Sequence, residues 1–223
     1  MIDPFENIKD DIDNKININT FPPLATTEEE IVIKNFYNQY PQLKQKEALG
    51  DAWVQTYSGK KLYPFYPNLD AIVLEDIAKS LSNQCRFTGH VCHFYSIAQH
   101  CVLVSYICDK KDALHGLLHD GSEFALTDLP SPLKRMPEFA GYKIVEKILQ
   151  NAIYRKFGLT EIEPPGVKEA DLRLLATEAR DLRPIQHSDW KLSHPPLPFK
   201  IEPLPPKEAE QLFLERFREL TNG

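Results

Sequence analysis

Four polar side chains fall where the helical pattern of this 223-residue chain calls for apolar ones: His100, the adjacent pair His119-Asp120, and Asp171. A buried carboxylate or imidazole without a partner costs several kcal/mol or is driven to its neutral form. Helices carrying such residues pack well only if the four share a partner. Two imidazoles and two carboxylates that meet at one point are the ligand set of a transition-metal site. Mixed nitrogen and oxygen ligation suits manganese, iron, cobalt, nickel or zinc better than calcium or magnesium.

From about residue 70 the apolar spacing is helical. AIVLEDIAKSLSNQ, FYSIAQHCVLVSYICDK and DALHGLLHDGSEFAL form three successive predicted helices, with Ile97, Cys101, Val104 and Cys108 on one face of the second. EFAGYKIVEKILQNAIYRKF follows, stopped by Gly158, then GVKEADLRLLATEARDL after Pro164-Pro165. KEAEQLFLERFREL closes the chain behind a proline-rich arm, HPPLPFKIEPLPP, while CRFTGH and LPSPLKRMP read as loops. WVQTYSGKKLYPFY reads as a small hairpin turning near Ser58-Gly59. Upstream, residues 1–25 look like a flexible polar arm, and Thr27 with Glu30 fits a capping box for a helix running to Pro41. The expected fold is all-α with a small N-terminal β-hairpin. One domain is expected over residues 51–223, with residues 1–50 as a partly flexible extension.

A net charge of -6 argues against a nucleic-acid polymer as partner, because a phosphate-backbone binder needs a basic face. No long apolar span and no basic-then-apolar leader is evident, so no membrane partner and a cytoplasmic location are expected. Cys101 and Cys108 stand seven apart on one predicted helix, roughly 10 Å along its axis, too far to bridge. Neither they nor Cys85 and Cys92 form a CxxC pair, so all four are expected to be buried reduced thiols.

Around these four residues stand further candidates. Glu123 lies four after His119, one helical turn on, where a carboxylate can serve as general acid or base. Asp128 either orients a water or leaving group or caps a turn. Arg86, in the loop before His100, has the planar fork that suits phosphate oxygens, with His90 and Lys134 as further contacts. Arg135 reads as solvated surface and His115 as a satisfied core histidine.

LLHDGSEFALTDLPSPLK is similar to the stretch where bacterial 5′-deoxynucleotidases of the HD-domain metal-dependent phosphohydrolase superfamily carry their HD pair, catalytic glutamate and a further aspartate. IVLEDIAKSLSNQCRFTGHVCHFYSIAQHCVLVS resembles the compact HD proteins of phages and prophages, among them phage dATP triphosphohydrolases. The likeness runs from about Trp53 to Leu220. It implies an HD-domain helical bundle with His100, His119, Asp120 and Asp171 as metal ligands. Glu123 would be the acid/base, Asp128 a second catalytic-site carboxylate, and Arg86 a phosphate or sugar contact. It also implies one divalent transition metal (zinc, cobalt or manganese), a small nucleotide substrate, and room for a homo-oligomer. The expected reaction is hydrolysis of the 5′-phosphoester of a deoxynucleotide, dNTP or dNMP, to deoxynucleoside and phosphate or polyphosphate. The alternatives are a strict 5′-nucleotidase on monophosphates, a cyclic-nucleotide phosphodiesterase, and a non-catalytic nucleotide-binding module. Residues 121–170 hold no histidine, which favours one metal over the two-metal centres that cut cyclic nucleotides. The full ligand set and Glu123 argue against a non-catalytic module.

Overall fold

The computed structural model describes residues 52–222. The capping box at Thr27 and the expected N-terminal arm and helix lie outside the described residues. The architecture is all-α with a minor hairpin, as the periodicity implies. Strands β1 (Val54–Gln55) and β2 (Lys61–Leu62) pair antiparallel, with Val54 opposite Leu62. The Asp76 carboxylate on the next helix accepts both the backbone N–H and the hydroxyl of Ser58 at 2.7 Å, which pins the hairpin to the bundle.

Helix α1 (Leu74–Asn83) is amphipathic and buries Ile77, Ala78 and Leu81. Helix α2 (Ile97–Ile107) is apolar nearly all round, the mark of a helix enclosed by others. It starts where the Ser96 hydroxyl accepts the Gln99 N–H at 3.1 Å. Around it pack α1, α3 (Ala113–Leu118), α7 (Pro165–Leu182) and α8 (Pro206–Thr221). Helix α6 (Ala140–Lys156) covers α3 from the other side. Gly158 ends it at φ 72, where a side chain would strain, and the Leu159 N–H returns to Tyr154 O. The side-chain amide of Gln99 donates to Glu202 O at 2.8 Å and accepts from Leu204 N at 2.9 Å, so the proline-rich arm docks on α2 by a two-point latch.

Three expectations need correction. The helix expected over DALHGLLHDGSEFAL is two, α3 and α4 (Glu123–Leu126), with a tight turn at residues 119–122. Its bonds Gly121 N→Leu118 O and Phe124 N→Gly121 O span three residues instead of four. The stretch LPSPLKRMP is only partly loop, since Ser131–Lys134 makes one helical turn, α5. All four cysteines are free, but only Cys101 is buried; Cys85 and Cys108 are half-buried and Cys92 is exposed. No helix among the described residues is long and apolar enough to cross a membrane.

Candidate metal centre and its cavity

The break between α3 and α4 is what gathers the site. On a continuous helix the side chains of His119 and Asp120 would diverge by about 100°. At the turn, His119 Nε2 lies 3.3 Å from Asp120 Oδ2. Gly121 permits the turn: a Cβ there would stand 2.8 Å from Leu118 O, closer than packing allows. Gln150, from α6, braces it. Its amide oxygen accepts the Ser122 N–H at 2.9 Å and its amide nitrogen donates to Leu118 O at 2.7 Å, gripping the chain on both sides of the pair.

His100 reaches the same point from α2. Donor atoms of His100, His119 and Asp120 lie within 4.8 Å of one another. Asp171, from α7, stands at the edge, with Oδ1 3.5 Å from His100 Nε2 and Oδ2 accepting from Lys168 at 2.7 Å. The structure therefore brings all four expected ligands to one place.

The donor chemistry there fits a cation. His119 Nδ1 sits 2.8 Å from Gly116 O, an acceptor only, so this nitrogen carries the proton. His100 Nδ1 sits 2.7 Å from Glu178 Oε1, which likewise calls for N–H on that side. In the neutral rings both Nε2 atoms then present lone pairs, and they face each other across 3.2 Å. Two lone pairs and two carboxylates in one spot need positive charge between them. Burial opposes ionising Asp120 and Asp171, but the adjacent imidazoles outweigh it and hold both carboxyls below the usual range. Burial disfavours charge on His119, yet Asp120 beside it raises its proton affinity well above the ordinary histidine.

Glu178 was not assigned a role from the sequence. It is fully buried, its Oε1 engages His100 and its Oε2 accepts from Arg86 at 3.3 Å. Its signal was present, since it lies seven residues after Asp171 on the same helical face. Arg86 itself donates to Asp120 Oδ2 at 3.4 Å, and its Nε is buried without a partner. The anion contact expected from it is thus a guanidinium already shared between two site carboxylates.

Arg86, His119, Asp120 and Asp171 open onto a cavity of about 630 Å³ that also holds Glu123, Asp128, Lys134 and Lys168 on its walls. Glu123 is 3% exposed and its Oε2 has no hydrogen-bond partner. Burial, then the charges of Asp120 and Asp128, push its carboxyl well above the usual range, against the pull of Lys134, whose Nζ lies 3.3 Å from Oε1. Asp128 follows Thr127, a β-branched residue held at φ 66 with its carbonyl accepting from Tyr142 Oη at 2.6 Å. Such strain persists only where the surroundings enforce it, and here it aims Asp128 at the cavity.

His90 is exposed and lines a neighbouring cavity together with Arg135, which is exposed as expected. His115 is a satisfied core residue, with Nε2 donating to Thr160 O at 3.0 Å.

No family model matches the chain. It is 43% identical over 174 residues to the uncharacterized protein YfdR of Escherichia coli strain K12, covering 76% of this chain and 96% of that one. It is 31% identical over 128 residues to an uncharacterized protein of Rhodobacter capsulatus, covering 53% of this chain and 65% of the other.

Proposed function

This chain belongs to the family of Escherichia coli YfdR, and we propose that it is a cytoplasmic metal-dependent phosphohydrolase of the HD type that releases phosphate or polyphosphate from the 5′ position of deoxynucleotides. The observation that carries this reading is the meeting of His100, His119, Asp120 and Asp171 beside a buried carboxyl, Glu123, that has one free oxygen. Held by those four residues, a divalent zinc, cobalt or manganese ion would supply Lewis acidity and a nucleophilic water near neutral pH.

The chain's own groups do the rest. Arg86, Lys134 and Lys168 on the cavity wall bind the phosphate oxygens and offset the charge that spreads over them as the bond to the sugar breaks. Glu123, protonated in its buried setting, holds a proton at the unpartnered Oε2 and gives it to the departing sugar oxygen. It recovers a proton from the water that adds to phosphorus, so the carboxyl ends as it began. Burial first, then the charges of Asp120 and Asp128, favour that proton on Glu123. Glu178 fixes the tautomer and orientation of His100. Lys143 and Lys147 also line this cavity and add positive charge for a polyphosphate chain.

Phosphate release from all dNMPs and dNTPs and their ribo counterparts, with Mn²⁺, Co²⁺ and Zn²⁺ in turn, tests the assignment. Turnover of deoxy substrates above their ribo partners is expected. Equal rates on both sugars would remove the deoxy preference, and activity confined to cyclic nucleotides would overturn the substrate class.

A further inference from the structure

A second cavity of about 560 Å³ adjoins the first, and the two share Arg86, Asp128, Ser131, Lys168 and Asp171 on their walls. Their chemistry differs sharply. Lysines and carboxylates dominate the first, whereas Phe87, Trp190, Leu172, Leu175, Pro130 and Pro132 face the second. Three of its side chains are stacked together. The Arg183 guanidinium lies 5.5 Å from the Phe87 ring centre and 5.0 Å from that of Trp190, and the two rings meet edge to face at 6.3 Å. Arg183 Nε is buried with no hydrogen-bond partner.

The backbone beneath this wall is strained. Phe87 and Thr88 sit at φ 54 and φ 53, in the left-handed region, and Thr88 is β-branched. Such a conformation is unfavourable for a residue with a side chain and survives where the surrounding structure dictates the placement of that side chain. The side chain so placed is the Phe87 ring, between Arg86 of the ligand cluster and the Arg183–Trp190 pair.

From these observations we propose that the second cavity is a base subsite, in which Phe87, Trp190 and Arg183 form a stacking wall for a planar heteroaromatic ring while the phosphates lie in the first cavity. The inference rests on the nucleotide reading above and adds the residues that hold the base. An apolar wall carrying a guanidinium plane suits a nucleobase, whose π-face stacks on aromatic rings and whose edge offers acceptors to an unpaired N–H. A phosphorylated group without a base would leave this wall empty. Substrate then lies across the metal ligands, base on one side and the outer phosphates on the other, with the sugar and its 5′-phosphate at the shared residues, where Arg86 and Lys168 meet the phosphate oxygens.

The chain has two tryptophans, Trp53 and Trp190, so a Trp53→Phe background isolates the emission of Trp190. Titration of that full-length, metal-loaded protein with deoxynucleosides, which cannot be hydrolysed at phosphorus, is expected to quench Trp190 saturably. Deoxyribose 5-phosphate is expected to leave it unchanged. Arg183→Ala should weaken deoxynucleoside binding roughly 5- to 150-fold, the range of base stacking, and Arg183→Lys, which keeps charge but not plane, should fail to restore it. In kinetics both variants should raise KM for nucleotides while kcat holds. Absence of a saturable response to every deoxynucleoside, or affinity unchanged in both Arg183 variants, would overturn the subsite. Hydrolysis of nucleotides without that response sinks the subsite alone. Deoxynucleoside binding at Trp190 without phosphate release from any nucleotide sinks the hydrolase reading alone.

Discussion

His100 and His119 bring their Nε2 atoms to 3.2 Å of each other while the second nitrogen of each ring is already engaged, one by Glu178 and the other by Gly116 O. That pairing has one stable resolution, positive charge between the rings. Asp120 contributes the nearest carboxylate, so Asp120→Ala is expected to lose both bound metal and turnover while the fold persists. Metal content by atomic emission and helical content by circular dichroism check this; retained metal at the wild-type level would remove Asp120 from the ligand set.

Metal and proton compete for the same place. Because His119 has a raised proton affinity in the metal-free molecule, metal binding should release protons, and apparent affinity should fall as the pH drops through that raised value. The stability contribution of His119 in metal-free protein runs with the proton: it is present below about pH 6.5 and is lost as the pH rises through the folded value. Calorimetric titration in buffers of different ionisation enthalpy measures the released protons directly. Affinity independent of pH between 5 and 8 would contradict a ligating His119.

Glu123→Gln should keep the metal and the fold and lose about 10²–10⁴ in turnover, the usual range for a positioned acid or base. The same variant has a stability signature. Folding raises the Glu123 carboxyl, so in metal-free protein its contribution to stability falls as pH rises from about 4.3 through the folded value. Replacing it with the neutral amide should flatten that slope. If Glu123→Gln loses its metal instead, the residue is a ligand.

Gln150 and Glu178 act through the ligands. Gln150→Leu leaves the buried Ser122 N–H without its acceptor, which should cost about 1–3 kcal/mol and loosen the His119-Asp120 turn. Glu178→Gln keeps an acceptor for His100 but drops the charge shared with Arg86, and should weaken metal binding about 10- to 100-fold. Thermal melts with and without metal separate the two effects: the first variant falls in both, the second mainly in the stabilisation that metal confers.

Much of this was legible in the chain. The helical spacing from residue 70 onward, the hairpin at Ser58-Gly59 and the stop at Gly158 follow from local propensity, and the four candidate ligands stand out because polar groups occupy apolar positions. The break after Leu118 was not legible, because LLHDGSEFAL has unbroken helical periodicity; the tightening at Gly121 and the grip of Gln150 are tertiary. Glu178 shared a face with Asp171, yet only the fold shows that His100 and Arg86 both meet it. The left-handed pair Phe87-Thr88 carries no glycine to announce it, and the joining of Phe87 with Arg183 and Trp190 spans about a hundred residues of chain.

The most direct test is phosphate release from dATP and dAMP by purified protein before chelation, after exhaustive chelation, and during stepwise return of Mn²⁺, Co²⁺ or Zn²⁺. The expected result is loss of activity on chelation and recovery that saturates at about one ion per chain, absent in Asp120→Ala. Full activity after exhaustive chelation would contradict the account.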